Sequence, residues 1–246
     1  MSELIGRRAL VTGASRGIGA AIALALAEKG ADVAITYEKS ADRAAEVVRA
    51  IEGKGRRGLA IQADSADAAA VKRSVEEAVK GLGGLDILVN NAGIARAGPL
   101  LEIGLADLDA LLNVNIRAVV LASQAAIPHL GAGGRIVSIG SNLGERVPFG
   151  GVTAYSMTKS ALLSFTRGLA RELGPQAITV NLVQPGSTDT DMNPAQGDFA
   201  AAQLGFSALG HFGKPEDIGA AVAFLASPAA RQITGSTITV DGGFNA

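Results

Sequence analysis

Short apolar runs of strand length alternate along the chain with longer stretches whose apolar residues recur at helical spacing. The strand-length runs cover residues 8–12, 32–37, 58–62, 86–90, 134–139, 177–183 and 237–240. The helical stretches lie near residues 17–29, 41–53, 67–82, 107–130, 155–174 and 215–226. Because strand and helix alternate throughout, the pattern predicts a doubly wound α/β fold, with a seven-stranded parallel sheet and helices on both faces.

The pattern also predicts a single domain over residues 1–246, because no repeat, low-complexity tract or linker interrupts it. Strand interiors such as 87–89 are continuously apolar, as expected for strands that are covered on both faces. The helical stretches 107–130 and 155–174 carry apolar residues around most of their circumference. We expect these two helices to be buried on a second side, against another subunit.

Composition and charge exclude several kinds of partner and chemistry. The chain has 22 basic and 23 acidic residues, so we expect neither nucleic acid nor an anionic membrane as partner. It has no cysteine, and His129 and His211 stand apart without a second ligand, so we predict no metal site. We find no secretory leader and no run approaching the ~18 apolar residues of a membrane span, and we expect a cytoplasmic protein.

A glycine-rich segment follows the first predicted strand and opens the first predicted helix. Gly13 allows the sharp turn, Gly17 allows the backbone to approach a phosphate, and Gly19 lets the helix pack against the sheet. The helix start offers unpaired N–H groups and the positive end of the helix dipole to a pyrophosphate. This context predicts a dinucleotide site.

The end of the second predicted strand bears on which dinucleotide is bound. An acidic residue at this place holds the ribose diol of NAD, but here the place falls near Tyr37. The nearby Arg16, Lys39 and Ser40 suit a 2′-phosphate, so we predict a preference for NADP(H). Glu38 is one position away and keeps NAD(H) open as an alternative.

Candidate catalytic chemistry lies in the segment Tyr155-Ser-Met-Thr-Lys159, read together with Ser141. On a helix, Tyr155 and Lys159 stand one turn apart on the same face. A tyrosine titrates near pH ~10, and we expect the neighbouring ammonium to lower that pKa toward neutrality. Alternatively, the tyrosine packs in the core and the lysine extends along the surface to water.

Four motifs in order decide between these interpretations: the glycine loop, Asn90-Asn-Ala-Gly93, Ser141 with Tyr155-x-x-x-Lys159, and Pro185-Gly186 followed by Thr190. Along essentially its whole length the chain resembles the short-chain dehydrogenases/reductases, which have a Rossmann-type fold. The general likeness is nearest to 3-oxoacyl-[acyl-carrier-protein] reductases. The resemblance implies a homotetramer that packs the two apolar helices against neighbouring subunits.

The resemblance also implies roles for individual residues. Ser141 would polarise a carbonyl, Tyr155 would donate the proton, Lys159 would bind the nicotinamide ribose and tune Tyr155, and Asn115 would hold a water for proton relay. Asp64 would contact the adenine, and the loop from Pro185 to Thr190 would seat the carboxamide. The implied cofactor contacts, besides Tyr155, Lys159 and the residues above, are Ser15, Ile18, Ser65, Asn90, Asn91, Ala92, Gly93, Gly186 and Thr188.

Two features depart from the family pattern. Ser141 precedes Tyr155 by one residue more than is usual, which leaves Asn142 at the usual spacing; we assign Ser141 because it directly follows the fifth strand. The relatives that reduce carrier-bound substrates dock an acidic carrier on basic residues beside the site. Here the segment 124–134 has no Lys or Arg, and Gln176 occupies another such position. We therefore expect a small-molecule substrate.

The substrate pocket is predicted to combine residues 142–152 with a lid at about 187–210. Its apolar members are Leu143, Val147, Phe149, Met192, Phe206 and Leu209, and Glu145, Arg146 and Asp191 are its polar candidates. The predicted activity is hydride transfer between NADP(H) and a carbonyl or secondary alcohol, with Tyr155 as general acid/base. The alternatives are an NAD-dependent alcohol or polyol dehydrogenase and a non-catalytic NADP(H)-sensing protein on the same fold.

Overall fold

Seven parallel strands form one sheet in the order β3-β2-β1-β4-β5-β6-β7. The computed structural model describes residues 3–246. The strands are β1 (Arg8–Val11), β2 (Asp32–Tyr37), β3 (Gly58–Gln62), β4 (Ile87–Asn90), β5 (Arg135–Ile139), β6 (Thr179–Pro185) and β7 (Thr237–Val240). The predicted seven-stranded, doubly wound architecture is confirmed.

Helices connect successive strands and cover both faces of the sheet. They are α1 (Gly17–Glu28), α2 (Ala41–Glu52), α3 (Ala68–Leu82), α4 (Leu105–Leu112), α5 (Ala118–Ala126), α6 (Thr153–Leu173), α7 (Ala200–Leu204) and α8 (Pro215–Ala226). The predicted helix over 107–130 is in fact α4 and α5, joined by a π-helical turn at Asn113–Arg117. The short α7 lies in the segment that was predicted only as a lid.

The pleat of the strands divides the core into two layers. Val11 and Val33 point to the face that is covered by α1, α2 and α8. Leu10 and Leu88 point to the opposite face, which is covered by α3, α5 and α6. Since neighbouring residues of a strand face opposite sides, strands that are apolar on both faces are required between two helical layers.

The order of the sheet reverses between β1 and β4. β1 pairs with β2 on one side and with β4 on the other, so the chain leaves these two neighbouring strands in opposite directions. The divergence opens a crevice beyond the carboxyl ends of β1 and β4. All the predicted catalytic and cofactor residues lie on segments that border this edge of the sheet or cross it.

One helix of the fold is long and apolar enough to span a membrane by length and composition alone. The stretch Leu105–His129 has a mean hydropathy of 1.5 and is long enough to cross a membrane. In the fold it is a core helix, interrupted by the π turn, and its inward side packs beneath the sheet. Its buried side chains include Leu111, Val114, Ala118, Val119, Ala122 and Ala126. Its apolar composition therefore reflects burial within a folded protein.

We predict that Gly219→Ala destabilises the protein by about 1–3 kcal/mol, the range typical of overpacking. A methyl group at Gly219 of α8 would lie 2.9 Å from the carbonyl oxygen of Ala21 and 3.3 Å from Cβ of Ala25, both in α1. The matched change is Gly168→Ala in α6, where a methyl group meets nothing within 4 Å. Helix propensity alone then gives a gain of up to about 1 kcal/mol. Denaturant unfolding measures both, and equal effects would refute this account of the α1–α8 contact.

Candidate active site

The loop between β1 and α1 is shaped to receive an anion. Gly13 has φ +62°, and a methyl group there would lie 2.8 Å from Cα of Ala92. Gly17 has φ +53° and lies against Thr190, and both conformations favour glycine. The side chain of Arg16, at the N-cap of α1, does not cap the helix. The first N–H groups of α1 therefore face the crevice at a positive helix end.

A set of hydrogen bonds ties this loop to the end of β4. Thr12 Oγ1 accepts from the backbone N–H groups of Asn91 and Ala92, both at 3.0 Å. The Asn91 side-chain amide donates to the carbonyl oxygens of Thr12 at 2.9 Å and Gly13 at 3.0 Å. Asn91, predicted as a cofactor contact, thus also holds the two crevice walls together. Thr12 was not predicted, although a hydroxyl directly after a buried strand was a usable signal.

Asn90 does not line the crevice as the resemblance implied. Its side chain is only 3% exposed, and its amide donates to Ser123 Oγ at 3.1 Å and Ser138 Oγ at 3.4 Å. Successive strand residues point to opposite faces, so the crevice receives Asn91 while Asn90 turns inward. It faces a small cavity of about 10 Å³, close to the size of one water molecule.

Asn115 sits in the π turn between α4 and α5 and is 1% exposed. Its Oδ1 accepts from the backbone N–H of Ile94 at 2.9 Å. Its Nδ2 donates to the Ile94 carbonyl and to Thr158 Oγ1, each at 3.0 Å. The amide therefore joins the segment after β4 to α6. The π turn orients the Asn115 side chain toward both of them. Such turns are frequent at functional sites.

Lys159 and Tyr155 meet beside the end of β5. Lys159 Nζ donates to the carbonyl oxygen of Ile139 at 3.0 Å and lies 5.9 Å from the ring centroid of Tyr155. A methyl group at Gly93 would lie 3.3 Å from Nζ and 3.5 Å from Asn115 Oδ1, so glycine keeps this space open. The structure thus brings the predicted catalytic residues from three segments to one place.

Ser141 follows β5 and completes this group. It is buried, and its Oγ accepts from the backbone N–H of Leu143 at 3.2 Å and donates to Asn142 Oδ1 at 3.5 Å. It also lies close enough to the Tyr155 phenol to oppose part of the rise in the pKa of that tyrosine. Directly after Ser141 the chain forms a short helical turn at Asn142–Gly144. Asn142, which holds the usual family spacing, is buried, and its backbone carbonyl accepts from the side-chain amide of Asn245.

The expected lowering of the Tyr155 pKa is not found. Although the tyrosine as a whole is only partly buried, its phenol is desolvated, and this raises the pKa above 10 despite the opposing hydrogen bond from Ser141. Burial also lowers the pKa of Lys159 to about 8. The ammonium is directed to Ile139, and its own charged form is disfavoured, so burial dominates the titration of both groups.

The adenosine end of the crevice carries several charges. Glu38 pairs with the predicted Lys39 at 2.8 Å, and this ion pair raises the pKa of Lys39. Ser40 is the N-cap residue of α2, and its side chain makes no capping bond. Asp64 Oδ1 accepts from the backbone N–H of Ala66 at 2.8 Å, an internal contact.

Two arginines converge on a carboxylate near this end. Asp191 Oδ2 lies 3.0 Å from Nη1 of Arg16 and 2.6 Å from Nη1 of Arg43. Arg43, in the first turn of α2, was not predicted, because only the fold brings it beside the glycine loop. Ser15 and Arg16 share an open groove of about 380 Å³ with Arg43.

The remaining predicted cofactor residues border the same crevice or support it. Ile18 packs against the core layer of α1, and Ser65 and Ala92 line the small cavity beside Asn90. Gly186, directly after β6, lies against Asp241, where a methyl group would be 2.6 Å from Cα. Thr188 is buried and its hydroxyl donates to the Gly186 carbonyl at 3.1 Å.

The predicted lid is ordered by polar contacts. Gln203 accepts from Ser187 Oγ at 2.6 Å and exchanges two hydrogen bonds with Asn193, both at 2.9 Å. Of the polar candidates for the pocket, Asp191 is held by the two arginines, Glu145 is exposed, and Arg146 donates to the Phe244 carbonyl at 2.9 Å.

Three aromatic rings join the lid to the rest of the pocket. The ring centroids of Phe149 and Phe206 are 6.2 Å apart, and those of Phe206 and Phe244 are 5.1 Å apart. Phe244, near the C-terminal end, was not predicted as a pocket residue. The predicted apolar members Val147, Met192 and Leu209 are exposed, and Leu143 is partly buried.

Comparison with known proteins identifies the family. A family model described as enoyl-(acyl carrier protein) reductase matches residues 13–245. A solved short chain dehydrogenase from Burkholderia cenocepacia, in complex with NADP, is 61% identical with a TM-score of 0.98, and the match covers 99% of this chain and 100% of that one. The chain belongs to the short-chain dehydrogenase/reductase family of oxidoreductases. The predicted resemblance is confirmed.

Two curated relatives in this short-chain dehydrogenase/reductase group carry different names. A cyclic-di-GMP-binding biofilm dispersal mediator protein of Escherichia coli is 43% identical over 246 residues, covering 100% of both chains. A 3-oxoacyl-[acyl-carrier-protein] reductase of Staphylococcus aureus is 43% identical over 240 residues, covering 96% of this chain and 97% of that protein.

We predict that Asn115→Asp lowers the free energy of unfolding by about 1–3 kcal/mol, because a carboxylate cannot donate to the Ile94 carbonyl or to Thr158. The matched change is Asn113→Asp in the same π turn, a partly buried residue whose side chain makes no hydrogen bond within residues 3–246. Its effect should stay within about 0.5 kcal/mol. Thermal melts compare the two variants, and an Asn115 variant as stable as wild type would contradict this role.

Proposed function

We propose that the chain is an NADP(H)-dependent oxidoreductase that interconverts a carbonyl and a secondary alcohol. The observation that carries the proposal is the convergence of a phenol, a hydroxyl and an ammonium at the edge of the crevice, from Tyr155, Ser141 and Lys159. The three come from two separate elements of the chain. A packing role alone gives no reason for three polar groups to meet there.

The crevice fits a dinucleotide phosphate. The pyrophosphate would lie over the glycine loop and the start of α1, and Arg16 would attract the 2′-phosphate. When bound, NADP(H) supplies or accepts the hydride. The 61% identical relative that was solved with NADP supports the same preference here. Glu38 beside Lys39 is the feature that keeps NAD(H) as the alternative.

In the proposed reduction, Ser141 and Tyr155 donate hydrogen bonds to the carbonyl oxygen, which gains negative charge as the carbon is reduced. The raised pKa of Tyr155 keeps its proton in place until this oxygen becomes basic, and the oxygen then takes it to form the alcohol. The Lys159 ammonium stabilises the phenolate that is left. Alcohol oxidation runs the same steps backwards, with the phenolate as base.

Asn115 is a positioning residue in this proposal. It holds the backbone of Ile94 and the hydroxyl of Thr158, and it lies directly across Gly93 from the Lys159 ammonium. The water that Asn115 would hold for proton relay, as the family resemblance implies, would bind beside this amide. The buried amide keeps the segment after β4 at a fixed distance from α6.

The proposed substrate is a small molecule with an apolar or aromatic body. Phe149 and Phe206 are partly exposed beside the predicted pocket, with the buried Phe244 packed behind Phe206, and aromatic rings favour stacking partners. Of the charged pocket candidates, Arg146 and Asp191 are already paired within the chain. The lack of Lys or Arg in 124–134 further favours a free carbonyl compound over a carrier-bound one.

We also propose a homotetramer. Large apolar side chains remain exposed in the turn before α4 and on α4 and α6 themselves: Leu101 at 98%, Leu105 at 73% and Met157 at 49%. Apolar patches of this kind mark surfaces that associate.

A second candidate is a binding protein for nucleotides without turnover. It is favoured by the 43% identical relative that is named for binding cyclic di-GMP. Titration with cyclic di-GMP and with NADPH, followed by a panel of ketones, aldehydes and polyols, separates the two candidates. Binding without turnover of any carbonyl or alcohol would favour the binding protein.

We expect Tyr155→Phe to lower kcat at least about 100-fold, because it removes the proton donor and one of two donors to the developing oxyanion. The Kd for NADPH should be nearly unchanged. Ser141→Ala should also lower kcat by roughly 100-fold. Ser160→Ala, which removes an exposed hydroxyl on α6 beside Lys159, is the matched control and should retain full activity. A Tyr155 variant that keeps most of its activity would remove this residue from the mechanism.

The lowered pKa of Lys159 predicts a pH dependence. The ammonium is present below about pH 8 and is lost above it, whereas Tyr155 keeps its proton. For carbonyl reduction, kcat/KM should therefore fall as the pH rises through about 8. In Lys159→Gln the rate should be low and this alkaline decline should disappear. Lys72→Gln, on the exposed side of α3, should keep the wild-type profile, and a decline that persists without Lys159 would assign it to another group.

A further inference from the structure

Asp191 joins three separate parts of the chain through one carboxylate oxygen. Its Oδ2 contacts Nη1 of Arg16 at 3.0 Å and Nη1 of Arg43 at 2.6 Å. Arg16 belongs to the glycine loop, Arg43 to the first turn of α2, and Asp191 to the lid. The two guanidiniums therefore lie next to each other, although they are 27 positions apart in sequence.

These ion pairs contribute little to stability. The three side chains are 53–56% exposed, and exposed ion pairs are worth only about 0–1 kcal/mol. Both arginines hold the pKa of Asp191 below its usual range, Arg43 more strongly, so the carboxylate is charged at neutral pH. Two positive charges face one negative charge, and the cluster keeps a net positive charge.

The surroundings of the cluster favour an anion of higher charge. Arg16 is the N-cap residue of α1, and Arg43 lies in the first turn of α2, three positions after its N-cap residue Ser40. Both helices point their positive ends toward this place. Lys39, the other cation of this region, is engaged by Glu38. Arg43 is therefore better placed than Lys39 to act with Arg16.

We infer that Arg43 is the second specificity residue for the 2′-phosphate of NADP(H), and that Asp191 competes with this phosphate for Arg16 and Arg43. The inference rests on the proposed NADP(H) function. A phosphate monoester carries a charge of about −1.5 to −2 at pH 7, more than a carboxylate, and binds guanidinium groups through several oxygens. It therefore displaces Asp191, and the lid loses its ion pair with Arg16 of the glycine loop and with Arg43 of α2.

The competition has a reciprocal consequence. If the phosphate weakens the bond between the lid and the arginines, then removal of that bond must strengthen phosphate binding. NAD(H) lacks the 2′-phosphate and leaves Asp191 in place. The phosphate end of the crevice is thereby linked to the segment that covers the substrate pocket.

The test is the affinity of the substrate-free protein for NADPH and NADH, measured by calorimetry. We expect Asp191→Asn to bind NADPH several-fold more tightly than wild type and to bind NADH equally well. Arg43→Gln should bind NADPH roughly tenfold or more weakly, with NADH unchanged, since a hydrogen bond between two charged groups is lost. In the double variant the gain from Asp191→Asn should shrink, because the competition needs Arg43.

Two control variants make the same changes in charge at positions outside the cluster. Asp198→Asn removes an exposed lid carboxylate, and Arg49→Gln removes a guanidinium on α2; within residues 3–246 neither residue forms an ion pair. Both should bind NADPH like wild type.

Three results would overturn the inference. An Asp191→Asn variant that binds NADPH equally or more weakly would make Asp191 a support for the arginines and not a competitor. If the variants changed the affinity for NADH as much as the affinity for NADPH, the effect would not depend on the 2′-phosphate. Wild-type protein that binds neither dinucleotide would overturn the proposed function, and this inference with it.

Discussion

The divergence of β1 and β4 is the constraint on which the rest of the site depends. At this seam the backbone of Gly13 lies so close to Ala92 that no side chain fits, and Asn91 and Thr12 fasten the two walls to each other. The contact sets the distance between the start of α1 and the segment after β4. It therefore sets where a phosphate and a nicotinamide can lie relative to each other. The side chains proposed to be catalytic lie on the opposite wall of the same crevice.

The far wall is built around a buried ammonium. Lys159 has no carboxylate partner in the described part of the chain; a backbone carbonyl, an aromatic ring and a glycine surround it. Burying a charge in this way is unfavourable, and the pKa near 8 reflects it. In the proposed mechanism, a negative charge that forms on Tyr155 is stabilised by this desolvated cation beside it. The same burial keeps the phenol protonated, so both groups are prepared to work as a pair.

The elements of the fold could be predicted because each strand carries its own apolar run and each glycine its own turn. The sequence could not show which way individual side chains point or which residues from distant segments lie beside them. Asn90 turns inward because it falls on the other side of the pleat from its neighbour, and Arg43 and Phe244 reach the site only through the tertiary fold. The π turn at Asn115 shifts the helix register locally, which no periodicity indicated. The pKa of Tyr155 was misjudged because spacing reports a nearby charge but not desolvation.

The proposed lid is held at points that report on different ends of the crevice. Phe206 packs on Phe244 beside the predicted substrate pocket, and Asp191 bonds to arginines beside the proposed phosphate site. Gln203 hydrogen-bonds to Asn193 within the lid. The internal bonds let the lid move as one piece, while the outer contacts are few and partly exposed. An event at either end therefore changes the balance of contacts for the whole segment. A cofactor that carries the phosphate and a substrate that displaces the aromatic contact would each act on the same lid, and this gives the two sites a physical means of influencing one another.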